Sequence, residues 1–304
     1  MEISSQIKGV IVAAVTPITA DLTPDLAIIP ELLEFYARRG AHGALLLGTT
    51  GEGPSFSPSE REAIFRAGAE IKSQRSDFVL LAGTGTPSLD ETIQLNKTAF
   101  DLGYQGVVTL PPFYFRSASE EGLFSWFSHV IQASVPEDGR LLGYHFPHIS
   151  GVPLSQFLLA RLAATFPIRF GGIKDSSGDL THTQTTITTL PRQSILVGND
   201  RLMTEGLKAG SGGCITAPAN LISPQLRKIY DAFLDGEDTT TEQTKVDAAR
   251  EVLDTLMPFP AALKGLLAEL HGFPIWPLKP PLEPFTHSQI NAAAEQITNI
   301  LEYT

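Results

Sequence analysis

The sequence predicts an α/β protein, a (β/α)8 TIM barrel followed by a C-terminal helical region. Three observations carry this. Short β-rich apolar runs recur eight times between residues 9 and 218, each closing on Gly, Thr, Pro or a polar residue. Amphipathic stretches of helical period fill the intervals, the signature of βαβ units and a parallel sheet. The length of 304 residues accommodates a barrel of about 250 residues with an appendage. Eight strands in succession favour closure over an open sheet. No Gly-x-Gly-x-x-Gly follows the first run, which weighs against a dinucleotide-binding fold.

The runs are 9–18, 43–50, 78–85, 106–112, 141–147, 170–176, 195–200 and 212–218. The first helix, 28–39, places Leu32, Leu33, Tyr36 and Ala37 on its apolar side. Ser57 or Ser59 can cap the second, which runs to residue 71 with Pro58 and Glu60 in its first turn. Asp90 and Glu91 open the helix 88–102, and Glu120 and Glu121 the helix 119–134, where acidic groups favour the positive end of the helix dipole. Helices 153–165, 181–190 and 201–209 complete the repeat. After Pro218 the pattern changes to four helices, 223–234, 240–256, 260–271 and 286–302, with no strand between them. The expected division is therefore a barrel over 1–222 and a helical region over 223–304. Segment 273–284 is too rich in proline to be helical throughout. It reads as an extended arm packed through Ile275, Trp276 and Leu278.

The net charge of −11 argues against nucleic acid or an anionic membrane as partner. The single cysteine, Cys214, cannot form an internal disulfide, and inside the last apolar run it reads as a small buried hydrophobe. The start, Met-Glu-Ile-Ser-Ser-Gln-Ile-Lys, lacks the basic-then-apolar order of a signal peptide. No stretch approaches the roughly 18 apolar residues of a membrane span. A cytoplasmic, soluble protein is the expectation.

In such a barrel the chemistry gathers at the carboxyl ends of the strands. Lys174 closes the sixth run, Phe170-Gly-Gly-Ile-Lys174. Burial disfavours an ammonium, and a neutral lysine amine can attack a ketone to form a Schiff base. The alternative is a lysine reaching solvent or paired with Asp175. Gly48-Thr49-Thr50-Gly51-Glu52-Gly53 closes the second run as an anion cradle, with glycine-opened backbone N–H groups and two hydroxyls suited to a carboxylate; it also reads as an ordinary turn. Tyr144 and Tyr114 end the fifth and fourth runs as phenols able to pass protons, or as packing at the barrel mouth. His145 and His148 bracket Pro147 without an accompanying carboxylate, and strand alternation turns His145 away from Tyr144, so no metal site is assigned.

In this order these stretches resemble the dihydrodipicolinate synthase / N-acetylneuraminate lyase family of class I, Schiff-base aldolases. The resembling motifs are Gly48-Thr-Thr-Gly-Glu52, Tyr144-x-x-Pro147, Gly172-Ile-Lys174-Asp-Ser-Ser-Gly178, Gly198-Asn-Asp, Pro258-Phe-Pro260 and Pro280-Pro-Leu-Glu-Pro284. The resemblance implies Lys174 as the Schiff-base lysine, Thr49 and Thr50 as ligands of the pyruvyl carboxylate, and Tyr144 as the proton-shuttling phenol assisted by Thr50. It further implies Tyr114 as a second tyrosine, often supplied in the family by a neighbouring subunit, and Gly198 and Ile215 as lining of the pyruvyl pocket. It implies no cofactor and no metal, small-molecule partners (pyruvate or another 2-oxo acid, and an aldehyde), and a homo-oligomer, tetramer or dimer.

The chain departs from the synthases where an arginine grips the second substrate's carboxylate. That position is Ile149, and isoleucine cannot replace a bidentate guanidinium. The expected reaction is therefore reversible aldol cleavage of a 2-keto-3-deoxy sugar acid or similar 2-oxo acid, closer to the sialic-acid and sugar-acid lyases. A dehydratase acting through the same iminium, a dihydrodipicolinate synthase-like condensing enzyme and a non-catalytic pyruvate-binding member are the alternatives.

Overall fold

The computed structural model describes residues 6–301. Eight parallel strands close into a barrel in sequence order: β1 (Gly9–Ala13), β2 (Gly43–Leu46), β3 (Val79–Gly83), β4 (Gly106–Thr109), β5 (Arg140–His145), β6 (Phe170–Asp175), β7 (Ser194–Val197) and β8 (Gly213–Thr216). β8 returns to β1, with Ile215 opposite Ile11. Most strands are shorter than the apolar runs that predicted them. The remaining residues of each run leave the ladder and build the rim; after β2 the chain turns at once, with Leu47 at φ 56°.

Around the barrel lie α1 (Ile29–Arg38), α2 (Pro58–Ala69), α3 (Leu89–Asp101), α4 (Glu120–Ser134), the single turn α5 (Pro147–Ser150), α6 (Gln156–Thr165), α7 (Leu180–Thr189) and α8 (Met203–Ala209). Ser57, not Ser59, caps α2: its hydroxyl accepts from the Glu60 amide while Glu60 accepts from the Ser57 amide. Ser88, Ser119, Ser155 and Asp179 cap α3, α4, α6 and α7 in the same sense. Period-two alternation splits the strand residues between two cores. Ile11, Leu45, Leu81, Leu142, Leu196 and Ile215 fill the barrel, while the opposite faces join the layer beneath the helices.

α9 (Ala219–Asp235), α10 (Thr240–Asp254), α11 (Phe259–His271) and α12 (His287–Leu301) follow. The expected division at residue 222 falls inside α9, which departs from helical geometry at Ile222 and carries Pro224. α9 lies along β1, where Asn220 Nδ2 donates to the Ala13 carbonyl at 2.8 Å. In the proline-rich arm Trp276 and Leu278 are buried as expected, but Ile275 is 85% exposed: it faces out of the extended segment that buries its neighbour. Residues 1–5 and the expected helix end at Glu302 lie outside the described residues. No helix among the described residues is long and apolar enough to cross a membrane.

A buried ion pair ties α11 to the barrel rim. Glu52, at φ 55° in the loop after β2, forms an ion pair of 2.5 Å with Lys264 of α11, and both side chains are buried. Lys264 also donates to the Pro277 carbonyl at 3.0 Å, so three segments meet on one ammonium. Removing one partner of a buried pair leaves an uncompensated charge, whereas removing both does not. Lys264→Met is expected to cost about 3–5 kcal/mol in urea unfolding, and the double variant Glu52→Gln/Lys264→Met substantially less.

Candidate active site

Lys174 on β6 lies opposite Tyr144 on β5 in the parallel register, so both side chains enter the barrel mouth. Both are buried, each 4% exposed. The Lys174 Nζ sits 4.2 Å from the centre of the Tyr144 ring. The Tyr144 hydroxyl lies 3.3 Å from Thr49 Oγ1. Thr49, Thr50, Tyr144, Lys174, Gly198 and Ile215 line one cavity of about 350 Å³. Six of the seven predicted site residues thus come together from the ends of five strands.

The lysine neither reaches solvent nor pairs with its neighbour in sequence. Asp175 points out of the barrel, where it accepts from the Ser177 amide and hydroxyl, from His182 Nδ1 at 2.9 Å and from Thr183 Oγ1 at 2.8 Å. The cradle is braced from below and from the side. The Thr16 hydroxyl donates to the Gly51 carbonyl at 2.7 Å, and Arg61 donates through Nε and Nη2 to the Gly53 carbonyl. Gly53 packs so closely that a Cβ there would lie 2.2 Å from the Leu47 carbonyl oxygen. At Gly198 a Cβ would meet Ser176 Oγ at 2.0 Å, a side chain that can turn aside, and the Asp175 carbonyl oxygen at 3.0 Å.

Tyr114 is not in this cavity. It is 76% exposed and packs edge-on against Phe115, itself exposed. The hydroxyl in reach of the Tyr144 phenol belongs to Thr49, one residue before the threonine expected to assist it. Sequence reasoning missed the far wall. Arg250 of α10 and Met257, Pro258, Phe259 and Pro260 at the start of α11 line the same cavity, with the Arg250 guanidinium 4.9 Å above the Phe259 ring. The Pro258-Phe-Pro260 signature was visible in the sequence, but nothing local to it revealed that it faced Lys174. Arg250 is held by Asp200 Oδ1 at 2.7 Å and by Asp254 Oδ1 at 2.7 Å. Burial raises the Asp200 carboxyl above its ordinary range, against the opposing pull of Arg250.

His145 faces away from Tyr144, as alternation requires, and stacks on His182 with centroids 4.1 Å apart and planes 7° from parallel. His148, exposed on α5, does not join them. Nitrogen, carboxylate and nitrogen of His145, Asp175 and His182 fall within 4.8 Å of one another. They suit a metal ion poorly: parallel stacked rings do not converge their lone pairs, and His145 Nδ1 already accepts from the Leu154 amide at 3.1 Å. Cys214 is fully buried, its thiol pushed up to about 12 by burial and by Asp200.

Residues 6–300 match the model of the Dihydrodipicolinate synthetase family. An uncharacterized DapA-like lyase of Chloroflexus aurantiacus is 36% identical over 298 residues, covering 98% of each chain. 4-Hydroxy-tetrahydrodipicolinate synthase 2 of Halalkalibacterium halodurans is 29% identical over 92% of this chain and 94% of its own. Among solved structures, YagE, a prophage protein of the dihydrodipicolinic acid synthase family from E. coli K12, solved in complex with pyruvate, superposes with a TM-score of 0.90 at 25% identity. It covers 97% of this chain and 99% of its own.

The histidine pair gives a pH signature with opposite signs. Burial, then the His182 charge, lowers His145 from 6.5 to about 4. As pH falls below 6.5 the unfolded chain takes up this proton first, so stability drops toward pH 4, by at most about 3 kcal/mol. The Asp175 carboxylate raises His182 above 6.5, so its stabilisation is complete below that pH and is lost as pH rises through the folded value. Urea unfolding across pH 4.5–8, a window of roughly the ordinary imidazole range, should show His145→Gln flattening the acid side and His182→Gln the alkaline side.

Proposed function

The chain belongs to the Dihydrodipicolinate synthetase family, and on that footing we propose that it is a Schiff-base pyruvate lyase. It reversibly cleaves a 4-hydroxy-2-oxo acid, the class that includes 2-keto-3-deoxy sugar acids, into pyruvate and an aldehyde. The observation that supports this best is the buried Lys174 amine against the Tyr144 ring, with the Thr49 hydroxyl at the phenol and the Asp175 carboxylate turned away.

The Lys174 amine adds to the C2 ketone and water leaves, giving an iminium. Thr49 and Thr50, with the turned backbone of the cradle, receive the adjacent carboxylate. Tyr144, relayed through Thr49, takes the proton of the C4 hydroxyl. The C3–C4 bond then breaks, its electrons passing into the iminium to leave an enamine, and the aldehyde departs. Protonation at C3 and hydrolysis of the resulting iminium release pyruvate and return the amine. Each step runs in reverse to make the carbon–carbon bond. Tyr114, exposed on its own subunit, is proposed to complete the proton relay in a neighbouring subunit of a homo-oligomer, and a cytoplasmic location is proposed with it. Ile149, 49% exposed on α5, offers no cation for a second carboxylate, which sets the lysine-pathway condensation behind cleavage.

Lys174→Ala should abolish turnover, and borohydride with pyruvate should add a pyruvyl-derived mass to Lys174 alone; a fully active alanine variant ends this reading. Tyr144→Phe should lower kcat by about 10²–10⁴-fold while pyruvate trapping on Lys174 persists. Product analysis separates cleavage, which yields pyruvate and an aldehyde, from dehydration, which loses no carbon.

A further inference from the structure

α10 lies outside the barrel, yet one of its side chains helps to close the lysine cavity. The Arg250 side chain is 15% exposed and lines that cavity with Ser176, Gly178 and Asn199. Its guanidinium is fixed from three directions. Nε donates to Asp254 Oδ1 at 2.7 Å, Nη1 donates to Asp200 Oδ1 at 2.7 Å and to Asn199 Oδ1 at 3.2 Å, and the group stands over the Phe259 ring. The other Asp254 oxygen is taken by Arg201 Nη1 at 2.6 Å. Nη2 is left with no hydrogen-bond partner among the described residues, and it is not one of the atoms shut away from solvent.

The same contacts orient Asn199. Its Oδ1 accepts from the Arg201 amide at 3.2 Å as well as from Arg250, so the nitrogen is the end that stays free. Nδ2 lies 3.7 Å from where a Cβ on Gly178 would stand, and glycine at that rim position leaves the approach open. Arg250 and Asn199 therefore present two N–H donors on groups already in contact. Ser176 Oγ, also without a partner among the described residues, stands on the same wall.

Charge decides what such a pair can hold. Arg250 and Arg201 face Asp200 and Asp254, two cations against two carboxylates. The cluster thus offers directed hydrogen bonds with no net charge, and a phosphate or second carboxylate brought against it would go uncompensated. A hydroxyl suits it: the oxygen has two lone pairs for the two donors and a proton for Ser176 Oγ. The guanidinium is already held in place, so little ordering is lost when it binds.

Resting on the Schiff-base reading, we infer that Arg250, with Asn199, determines specificity by holding an uncharged hydroxyl of the substrate beyond C4. The preferred aldehyde is then a hydroxylated one that carries neither phosphate nor carboxylate, and a helix outside the barrel supplies the selectivity.

The test is condensation of pyruvate with glyceraldehyde, its 3-phosphate, tartronate semialdehyde and propanal, read as kcat/KM from pyruvate consumption. Borohydride trapping of pyruvate on Lys174, run on every variant, reports whether the cradle is built. Glyceraldehyde should exceed both anionic aldehydes by about tenfold. Arg250→Lys keeps a cation for Asp200 but removes the fork, and should lower the glyceraldehyde-to-propanal ratio about tenfold relative to the unaltered chain. Asn199→Ser keeps a capping oxygen for the Arg201 amide and removes Nδ2, and should lower that ratio about threefold. An anionic aldehyde preferred over glyceraldehyde, or a ratio unmoved in either variant that still traps pyruvate, overturns the assignment and leaves the Schiff-base reading intact. Failure of trapping in the unaltered chain removes both.

Discussion

Closure of eight parallel strands is the constraint from which the site follows. It brings every carboxyl end to one rim, and it divides each strand's residues into those that face the axis and those that face the helices. Tyr144 and Lys174 share the inward phase because β5 and β6 run in register. His145 and Asp175, one residue on, share the outward phase for the same reason. A one-residue slip of β6 alone would turn Lys174 outward and Asp175 inward, leaving a carboxylate beside the phenol where the amine stands.

That division also explains why the buried lysine does not pair with its own neighbour in sequence. Asp175 is held on the outer side by four donors, from Ser177, His182 and Thr183. The stacked histidines behind it fasten β5 and β6 to the loop before α6 and to α7, through Leu154 and Asp175. The outer layer therefore supports the inner one without contributing a group to the cavity.

The strands and most helices were legible because hydrophobic period and capping residues are local properties. Ser57 with Glu60, or Phe170 to Ile173, announce themselves within a few residues. Lys174, Tyr144 and the Thr-Thr loop were legible as strand ends, where topology alone says what converges. Arg250 and Phe259 were not, since their approach to the rim depends on how α10 and α11 pack against the barrel, which no local pattern encodes. Arg61 was hidden for a different reason: an arginine in an amphipathic helix reads as a solvated charge, and only the fold shows it turned inward to donate to the Gly53 carbonyl. Tyr114 was legible as a rim aromatic, yet its position outside its own cavity requires three-dimensional knowledge of the loop after β4.

The Glu52–Lys264 pair sets an order of assembly. Glu52 leaves the ribosome early and Lys264 late, with most of the chain between them. The last barrel strand, β8, ends at Thr216, so all eight strands are made before Lys264, while the loop that bears Thr49 and Thr50 still holds an unpaired carboxylate. The Glu52 carboxylate gains its partner only when α11 docks. A nascent or C-terminally shortened chain would thus hold its reactive lysine on β6 before it could hold a 2-oxo acid against it, and a competent site becomes a report that synthesis has reached the last helices.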